Sequence, residues 1–299
     1  MSSLLSTVKS LFTPDTPPPL DLAARKRVAL DTVNRTPQIT QKYAHLGASL
    51  SSSFIDCQLP PLSPPSTTTP TKYTIVNSDA YTAARSLLTH HPEAIGKVAV
   101  LNLASDQHPG GGWLSSLSRT QEEALCYSST LYPTLLPSYY PWPNTGPGCV
   151  AGIYSPGIVV FKDDLDHWCL DLGEEEVRVV AVLTVAAPRG PKTRRGEDGE
   201  EAIRDEKVAE ELRGKIRLVY RMAAGNGKEY IVLGTYPFSF LTYPFLLSHS
   251  FLLPFSLLLH LLTPDLRRCD GLRRVRLSPH PSRSGDEGDP VRGRVQGCV

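Results

Sequence analysis

The chain has 299 residues, of which 40% are apolar and 20% are charged, and its formal net charge is +1. This composition is typical of a globular protein with one large domain or two small ones. The near-neutral balance excludes a chain that is drawn to nucleic acid or membranes by its overall charge, so an anionic ligand must be held by local groups.

The six cysteines are widely spaced and include no Cys-x-x-Cys pair. This spacing argues against a structural zinc site and against a disulfide scaffold. Residues 1–20 are rich in Ser, Thr and Pro and contain no continuous apolar run, so they predict a disordered lead-in without a secretory signal. We therefore expect a cytoplasmic or nuclear protein.

In chain order, the residues after the lead-in predict alternating helices and strands. The first helix is predicted from Asp21 to about Tyr43, with an interruption near Pro37, and residues 49–71 predict a loop. This alternation favours an α/β domain with a largely parallel or mixed central sheet. The other predicted elements are strands at 73–77, 97–104, 152–164, 177–188 and 229–234, and helices at 79–91, at 120–135 and around 208–222.

The segment 236–262 departs from this pattern. Twenty-two of its 27 residues are Leu, Phe, Ser or Pro, the amino acids that all-pyrimidine codons encode, and residues 265–299 contain eight Arg and no Lys. The apolar segment is long enough to span a membrane, but Pro237, Pro244 and Pro254 interrupt it. We favour the hypothesis that 235–299 is an atypical tail translated from an intron or a shifted reading frame, with a membrane segment as the alternative.

A strand end, a glycine loop and a helix start are adjacent at 98–130. Three consecutive glycines, Gly110, Gly111 and Gly112 (the glycine triplet), follow the strand that ends near Asn102. Consecutive glycines let several backbone N–H groups approach one ligand, which suits a diphosphate. The pattern is not Gly-x-Gly-x-x-Gly and lacks a Walker lysine, which argues against a P-loop enzyme. Taken alone, the triplet more often indicates a flexible turn than a ligand site.

Two adjacent glutamates, Glu122 and Glu123, fall in the first turn of the helix predicted after this loop. Carboxylates in a first turn usually complement the helix dipole. Neighbouring side chains on a helix diverge by about 100°, so the pair does not predict the two facing carboxylates of a conventional glycosidase. One of them can act on a reacting centre while the other holds a nearby hydroxyl.

The combination is more specific than either part. The glycine triplet, eight further residues and Gln-Glu-Glu at 121–123 resemble the microbial-type poly(ADP-ribose) glycohydrolase family, whose signature joins these two motifs at short range. The resemblance extends over 21–234, with IVNSDAYTAARSL, IYSPGIVVFKDD and VAAPRGP in the expected order. It implies that 21–234 is a catalytic domain with a three-layer α/β/α, macrodomain-like fold and a mixed central sheet.

The resemblance also implies a role for each motif residue. The glycine triplet would line the diphosphate of ADP-ribose through its backbone amides. Glu123 would be the catalytic acid and would then activate water, while Glu122 would bond ribose hydroxyls. Gln121 would fix the geometry between loop and helix, and Asn102 would bind a ribose hydroxyl near the scissile bond. No cofactor and no metal ion is implied.

One expected feature is missing from this sequence. In the family the last strand runs into a second glycine-rich loop, followed by a further helix and strand, whereas here GTYPFSFL begins at residue 234. We therefore expect a sheet that is incomplete at its C-terminal end, and a chain that is destabilised and weak or inactive as an enzyme.

The expected function is hydrolysis of the ribose–ribose bonds of poly(ADP-ribose). The alternative is an ADP-ribose-binding, macrodomain-like reader or an inactive hydrolase relic. The expected partners are poly(ADP-ribose) or ADP-ribosylated proteins. Direct DNA binding is not expected, because acidic residues are interspersed among the C-terminal arginines. We expect a monomer that does not associate with membranes.

Overall fold

A computed structural model of the protein describes residues 18–62, 73–195, 201–234 and 273–277. The lead-in up to residue 17 and the apolar segment 236–262 lie outside these ranges. The helices are α1 (Leu22–Lys42), α2 (Ala80–His90), the single turn α3 (Trp113–Ser116), α4 (Gln121–Ser128) and α5 (Glu206–Gly225). The strands are β1 (Ser53–Ile55), β2 (Tyr73–Val76), β3 (Val98–Leu103), β4 (Gly152–Val160), β5 (Arg178–Val185), β6 (Thr193–Arg195), β7 (Glu201–Ile203), β8 (Tyr230–Leu233) and β9 (Arg273–Leu277).

Seven of the described strands form one mixed sheet in the order β1-β4-β5-β3-β8-β9-β2. The pairs β1–β4 and β4–β5 are antiparallel, whereas β5, β3, β8, β9 and β2 pair in parallel. The carboxyl ends of β3, β5 and β8 therefore meet at one edge of the sheet, the edge where open α/β sheets hold ligands. Strands β6 and β7 pair only with each other.

Helices cover both faces of the sheet and give a three-layer architecture. Val98 and Val100 of β3 pack in the core beneath α1, α2 and α4, whereas Ala99 and Leu101 pack in the core beneath α5. This alternation follows from the two-residue period of a strand. Because Asn102 follows Val100 by two positions, it faces the same side as α4. The predicted α/β class with a mixed sheet is confirmed.

Helix α1 runs continuously through Pro37, so the predicted interruption there is wrong. Proline removes one backbone donor and normally kinks a helix interior. Here the buried side of α1 packs on the core through Ala29, Thr32 and Thr36, and the Thr32 hydroxyl donates a hydrogen bond to the backbone oxygen of Tyr127 at 2.8 Å. Tertiary contacts along the whole helix therefore offset the local cost of the proline.

Two other elements differ from their sequence predictions. Helix α4 ends at Ser128 rather than near residue 135, because the chain turns onto β4, where the backbone N–H of Thr130 bonds to Val159. Strand β1 lies inside the predicted loop 49–71 and pairs with β4. A three-residue strand is too short to show a periodic pattern, so the sequence carried no signal for it.

Strand β9 is an additional strand that the sequence does not predict. Its backbone lies between β8 and β2 and pairs in parallel with both. Central parallel strands are normally continuous apolar runs, but three of the five residues of β9 are Arg, so its sequence does not predict a strand. Residues 235–272, where the covering helix would fall, lie outside the described residues. Among the helices that are described, none is long and apolar enough to cross a membrane.

Candidate active site

The glycine triplet forms a tight left-handed loop after β3. The φ angles of Gly110, Gly111 and Gly112 are 62°, 62° and 79°, a region that costs other residues roughly 1–2 kcal/mol each. The N–H of Gly111 bonds to the backbone oxygen of His108 at 3.2 Å, so that amide is used within the turn. Glycine is required here by the backbone conformation as well as by the space available.

The carboxyl groups of Glu122 and Glu123 converge on Gly111. A Cβ atom added to Gly111 would clash with Oε1 of Glu123 and would lie 3.2 Å from Oε2 of Glu122. The two side chains leave the helix in different directions, but both carboxyl groups reach the same glycine. The two side chains therefore start in different directions, as predicted, but their carboxyl groups end beside the same residue.

Both glutamates are almost completely buried, with 3% and 4% of their surfaces exposed for Glu122 and Glu123. Oε2 of Glu122 accepts a hydrogen bond from the backbone N–H of Ser105 at 2.8 Å, and Oε1 lies 3.4 Å from the amide nitrogen of Asn102. Glu123 accepts a hydrogen bond from the hydroxyl of Thr120. The contacts are separate, so the two carboxyl groups are held independently.

The buried position changes the protonation of Glu122. Burial raises the pKa of Glu122 to about 8, and the neighbouring Glu123 carboxylate adds to the increase. The hydrogen bonds from Ser105 and Asn102 oppose it only in part. At this pKa, Glu122 keeps its proton near neutral pH. The site therefore contains a buried proton donor beside a glycine loop at the carboxyl edge of the sheet.

The sequence and the fold were compared with known proteins. Residues 22–163 match the family model of the microbial-type PARG catalytic domain, where PARG is poly(ADP-ribose) glycohydrolase. This segment belongs to that family. A comparison with curated proteins gave no match.

Solved PARG structures resemble this fold over most of the chain. The chain is 29% identical to the PARG of Thermomonospora curvata, with a TM-score of 0.54, over 71% of this chain and 79% of that one. The PARG of Deinococcus radiodurans, solved in complex with ADP-ribose, is 26% identical over 71% and 79% of the two chains, with a TM-score of 0.51. These matches confirm the macrodomain-like fold.

Gln121 of the PARG motif is directed at the sheet. Its Oε1 accepts from the N–H of Leu103 at 2.8 Å and its Nε2 donates to the oxygen of Leu101 at 2.7 Å. Strand β8 pairs with β3 only up to Val100, so the Gln121 amide continues the hydrogen-bond ladder where β8 stops. These two hydrogen bonds fix the start of α4 against β3.

Asn102 lies behind Glu122. It is fully buried, and its Nδ2 faces Thr184 of β5 at 3.2 Å as well as Glu122. Cys126 is also buried, and burial raises the pKa of its thiol well above the usual range, as expected for a core residue rather than a nucleophile.

Two contacts of the site could not be read from the sequence. Ser105 contributes a backbone N–H, which any residue but proline offers, and Thr184 comes from a strand about 80 residues away along the chain. Neither therefore leaves a signal in the residue types near the motif. Only the pairing of β3 with β5 brings Thr184 to Asn102.

One group of described residues has the spacing of metal ligands. Potential ligand atoms of Asp163, Asp164 and His167 lie within 4.8 Å of one another, although the sequence gave no indication of such a cluster. Asp163 pairs with Arg85 at 2.8 Å, and Asp164 accepts hydrogen bonds from the backbone N–H groups of Asp166 and His167. These contacts account for the cluster as a stabilised turn.

We expect the substitution Glu122→Gln to flatten the pH dependence of stability. Because the folded-state pKa of about 8 lies above the ordinary value of 4.5, the folded chain holds a proton that the unfolded chain releases between these pH values. The free energy of unfolding therefore falls as pH rises through this window, by up to about 5 kcal/mol, and then levels off. Urea unfolding of both proteins from pH 5 to pH 9 measures the difference.

Asp79→Asn is the matched control for this prediction. Burial raises the pKa of Asp79, the cap of α2, to about 6, and Asn caps a helix as well as Asp does. This variant should change the pH dependence of the free energy of unfolding only below about pH 6. Parallel curves for the parent and Glu122→Gln between pH 6 and pH 8 would show that Glu122 is not protonated by burial.

Proposed function

We propose that this chain hydrolyses the ribose–ribose O-glycosidic bonds of poly(ADP-ribose), with Glu123 as the general acid and base. The observation that carries the proposal is the convergence of the two buried carboxyl groups on Gly111. Membership of the PARG family supports a glycosidase that acts on ADP-ribose polymers in general. The T. curvata enzyme has also been solved with the inhibitor ADP-HPD, at 28% identity to this chain.

In the proposed reaction, Glu123 protonates the oxygen of the leaving ribose as the bond from that oxygen to the anomeric carbon breaks. The anomeric carbon gains oxocarbenium character. Glu123, now a carboxylate, takes a proton from a water molecule whose oxygen bonds to the anomeric carbon. The products are two hydroxyl ends, and Glu123 regains its proton.

The other motif residues bind and orient the substrate in this proposal. Glu122 and Asn102 hold hydroxyls of the reacting ribose, and the glycine triplet faces the diphosphate. Because Glu122 keeps its proton up to a pH of about 8, it can donate as well as accept a hydrogen bond.

We further propose that hydrolysis by this chain is slow. The sequence that follows β8 is Gly-Thr-Tyr-Pro-Phe rather than a second glycine-rich loop. Half of the diphosphate contacts that the family resemblance implies would then be absent. A diphosphate that is held by fewer contacts leaves a smaller fraction of the bound substrate correctly aligned. Misalignment of about 1 Å costs on the order of 100-fold in rate.

The test is release of ADP-ribose from a poly(ADP-ribosyl)ated protein, measured by chromatography. The full chain is compared with the T. curvata enzyme at equal concentration, and binding of ADP-ribose to the full chain is measured in parallel. We expect release that is detectable and slower than that of the T. curvata enzyme. Binding without any release, at enzyme concentrations above that of the substrate, would favour the reader alternative. Absence of both would contradict the proposed function.

A further inference from the structure

Several buried polar atoms have no hydrogen-bond partner among the described residues, and two of them matter for the candidate site. One is Oδ1 of Asn102, the residue whose Nδ2 faces Glu122, and the other is the phenolic oxygen of Tyr140. Buried polar atoms in folded proteins are nearly always hydrogen-bonded to protein, water or a ligand. An acceptor and a hydroxyl left over near one carboxyl group therefore point to a ligand that bonds to both.

The loop of Tyr140 is bonded beside a residue that holds Glu122. The N–H of Trp142 bonds to the backbone oxygen of Asp106, and the preceding residue, Ser105, donates its N–H to Glu122. Burial raises the pKa of Tyr140, and the Glu122 carboxylate adds to the increase, followed by Cys126 and Tyr132. The side chains of Cys126 and Tyr132 both border Gly110. The raised pKa keeps the hydroxyl protonated at neutral pH, so it can donate a hydrogen bond.

The loop that carries Tyr140 is fixed to the carboxyl edge of the sheet. The Tyr140 ring packs on the ring of Trp142, with 4.7 Å between the centroids. The backbone N–H of Trp142 bonds to the backbone oxygen of Asp106 at 3.1 Å, and the buried Asp106 carboxylate accepts from Arg189. Asp106 follows β3 and Arg189 follows β5. These bonds hold the ring of Tyr140 in place, although its hydroxyl makes no bond itself.

The neighbouring tyrosine has a different environment. The hydroxyl of Tyr139 donates to the backbone oxygen of Ser52 at 3.1 Å, and its ring stacks on Phe54 at 5.5 Å. Tyr139 therefore anchors the loop to β1 and its hydroxyl is used. The two adjacent tyrosines form a natural pair for comparison, because one hydroxyl has a structural partner and the other has none.

We propose that Tyr140 contacts the substrate, donating a hydrogen bond from its hydroxyl to an oxygen of the distal ribose of ADP-ribose, the sugar not bonded to adenine. This rests on the proposed function and extends it by one residue. A vicinal diol carries donors and acceptors on adjacent carbons. It can therefore donate to Oδ1 of Asn102 and accept from Tyr140 at the same time, beside Glu122.

The test is calorimetric binding of ADP-ribose and of ADP to the full chain and to its Tyr140→Phe and Tyr139→Phe variants. Tyr140→Phe should weaken ADP-ribose binding roughly 3- to 10-fold, the range expected for one hydrogen bond. ADP binding should not change, because ADP lacks the distal ribose. Tyr139→Phe should change the affinities for both ligands by the same factor or not at all.

The outcomes separate this inference from the proposed function. Unchanged ADP-ribose affinity in Tyr140→Phe, or an equal loss for ADP and ADP-ribose, would overturn the role of Tyr140. The unchanged ADP affinity also serves as the check that the variant is folded. If the parent chain binds ADP-ribose no more tightly than ADP, the distal ribose makes no favourable contact, and the proposed function itself fails.

Discussion

Glu123→Gln should lower the rate of ADP-ribose release by roughly 10²- to 10⁴-fold, the contribution of a positioned general acid and base. Glutamine has the shape of glutamate, and its amide oxygen can still accept the hydrogen bond that Thr120 donates to Glu123. It cannot supply a proton to the leaving oxygen or remove one from water. The affinity for ADP-ribose should therefore change little while the turnover number falls. Single-turnover release and calorimetric binding together measure both quantities.

A surface glutamate provides the matched control for this change. Glu229 lies at the amino end of β8, the end remote from the site, where it pairs with Lys97 at 2.8 Å. Glu229→Gln removes the same charge and should leave the rate unchanged. The comparison with Glu122→Gln assigns the two motif glutamates. Loss of turnover in Glu122→Gln with retained turnover in Glu123→Gln would reverse the roles that we propose.

Gly111→Ala should lower the rate by at least about 10- to 100-fold. The added methyl group would lie 3.1 Å from the carboxyl carbon of Glu123 and in contact with its Oε1, with Oε2 of Glu122 at 3.2 Å. Both carboxyl groups must then move, and a displacement of about 1 Å at reacting groups costs on the order of 100-fold. The substitution also places alanine at a φ of 62°. Rate measurements and thermal unfolding of the same samples separate the two effects.

Gly227→Ala is the control that measures the cost of the left-handed backbone conformation without a steric clash. Gly227 follows α5 with a φ of 66°, close to that of Gly111, but a Cβ atom there would meet nothing within 4 Å. Backbone strain should lower the stability of both variants by roughly 1–2 kcal/mol. Only Gly111→Ala should also displace the two carboxyl groups and lose activity. Equal losses of activity would mean that the conformation of the loop, rather than the space beside the glutamates, limits the reaction.

The sequence determined the elements that local patterns specify. The apolar run of β3 and the amphipathic period of α5 were recognised because burial on one or both sides imposes a residue pattern within a single element. The glycine triplet and Gln-Glu-Glu were found together because only eight residues separate them. The family resemblance could therefore name Glu123 and Gly111 before any contact was known.

Other features depended on residues that are distant along the chain. Helix α1 continues through Pro37 because its buried face packs on α4, and β1 forms only because β4 offers it an edge. Strand β9 has three Arg in five residues, a pattern that does not predict a central strand. It joins the sheet through backbone pairing with β8. Local propensity is a weak signal when the partner supplies most of the stabilisation.

The chemistry of the site divides in the same way. The sequence by itself placed two carboxylates beside a glycine loop, because composition and spacing are local properties. The tertiary structure decided that their ends converge on Gly111, and that burial keeps a proton on Glu122 up to a pH of about 8. It also decided that the loop of Tyr140 is bonded to the segment that follows β3, through Trp142 and Asp106. Burial and electrostatic coupling arise from packing between elements, and they exist only once those elements have assembled.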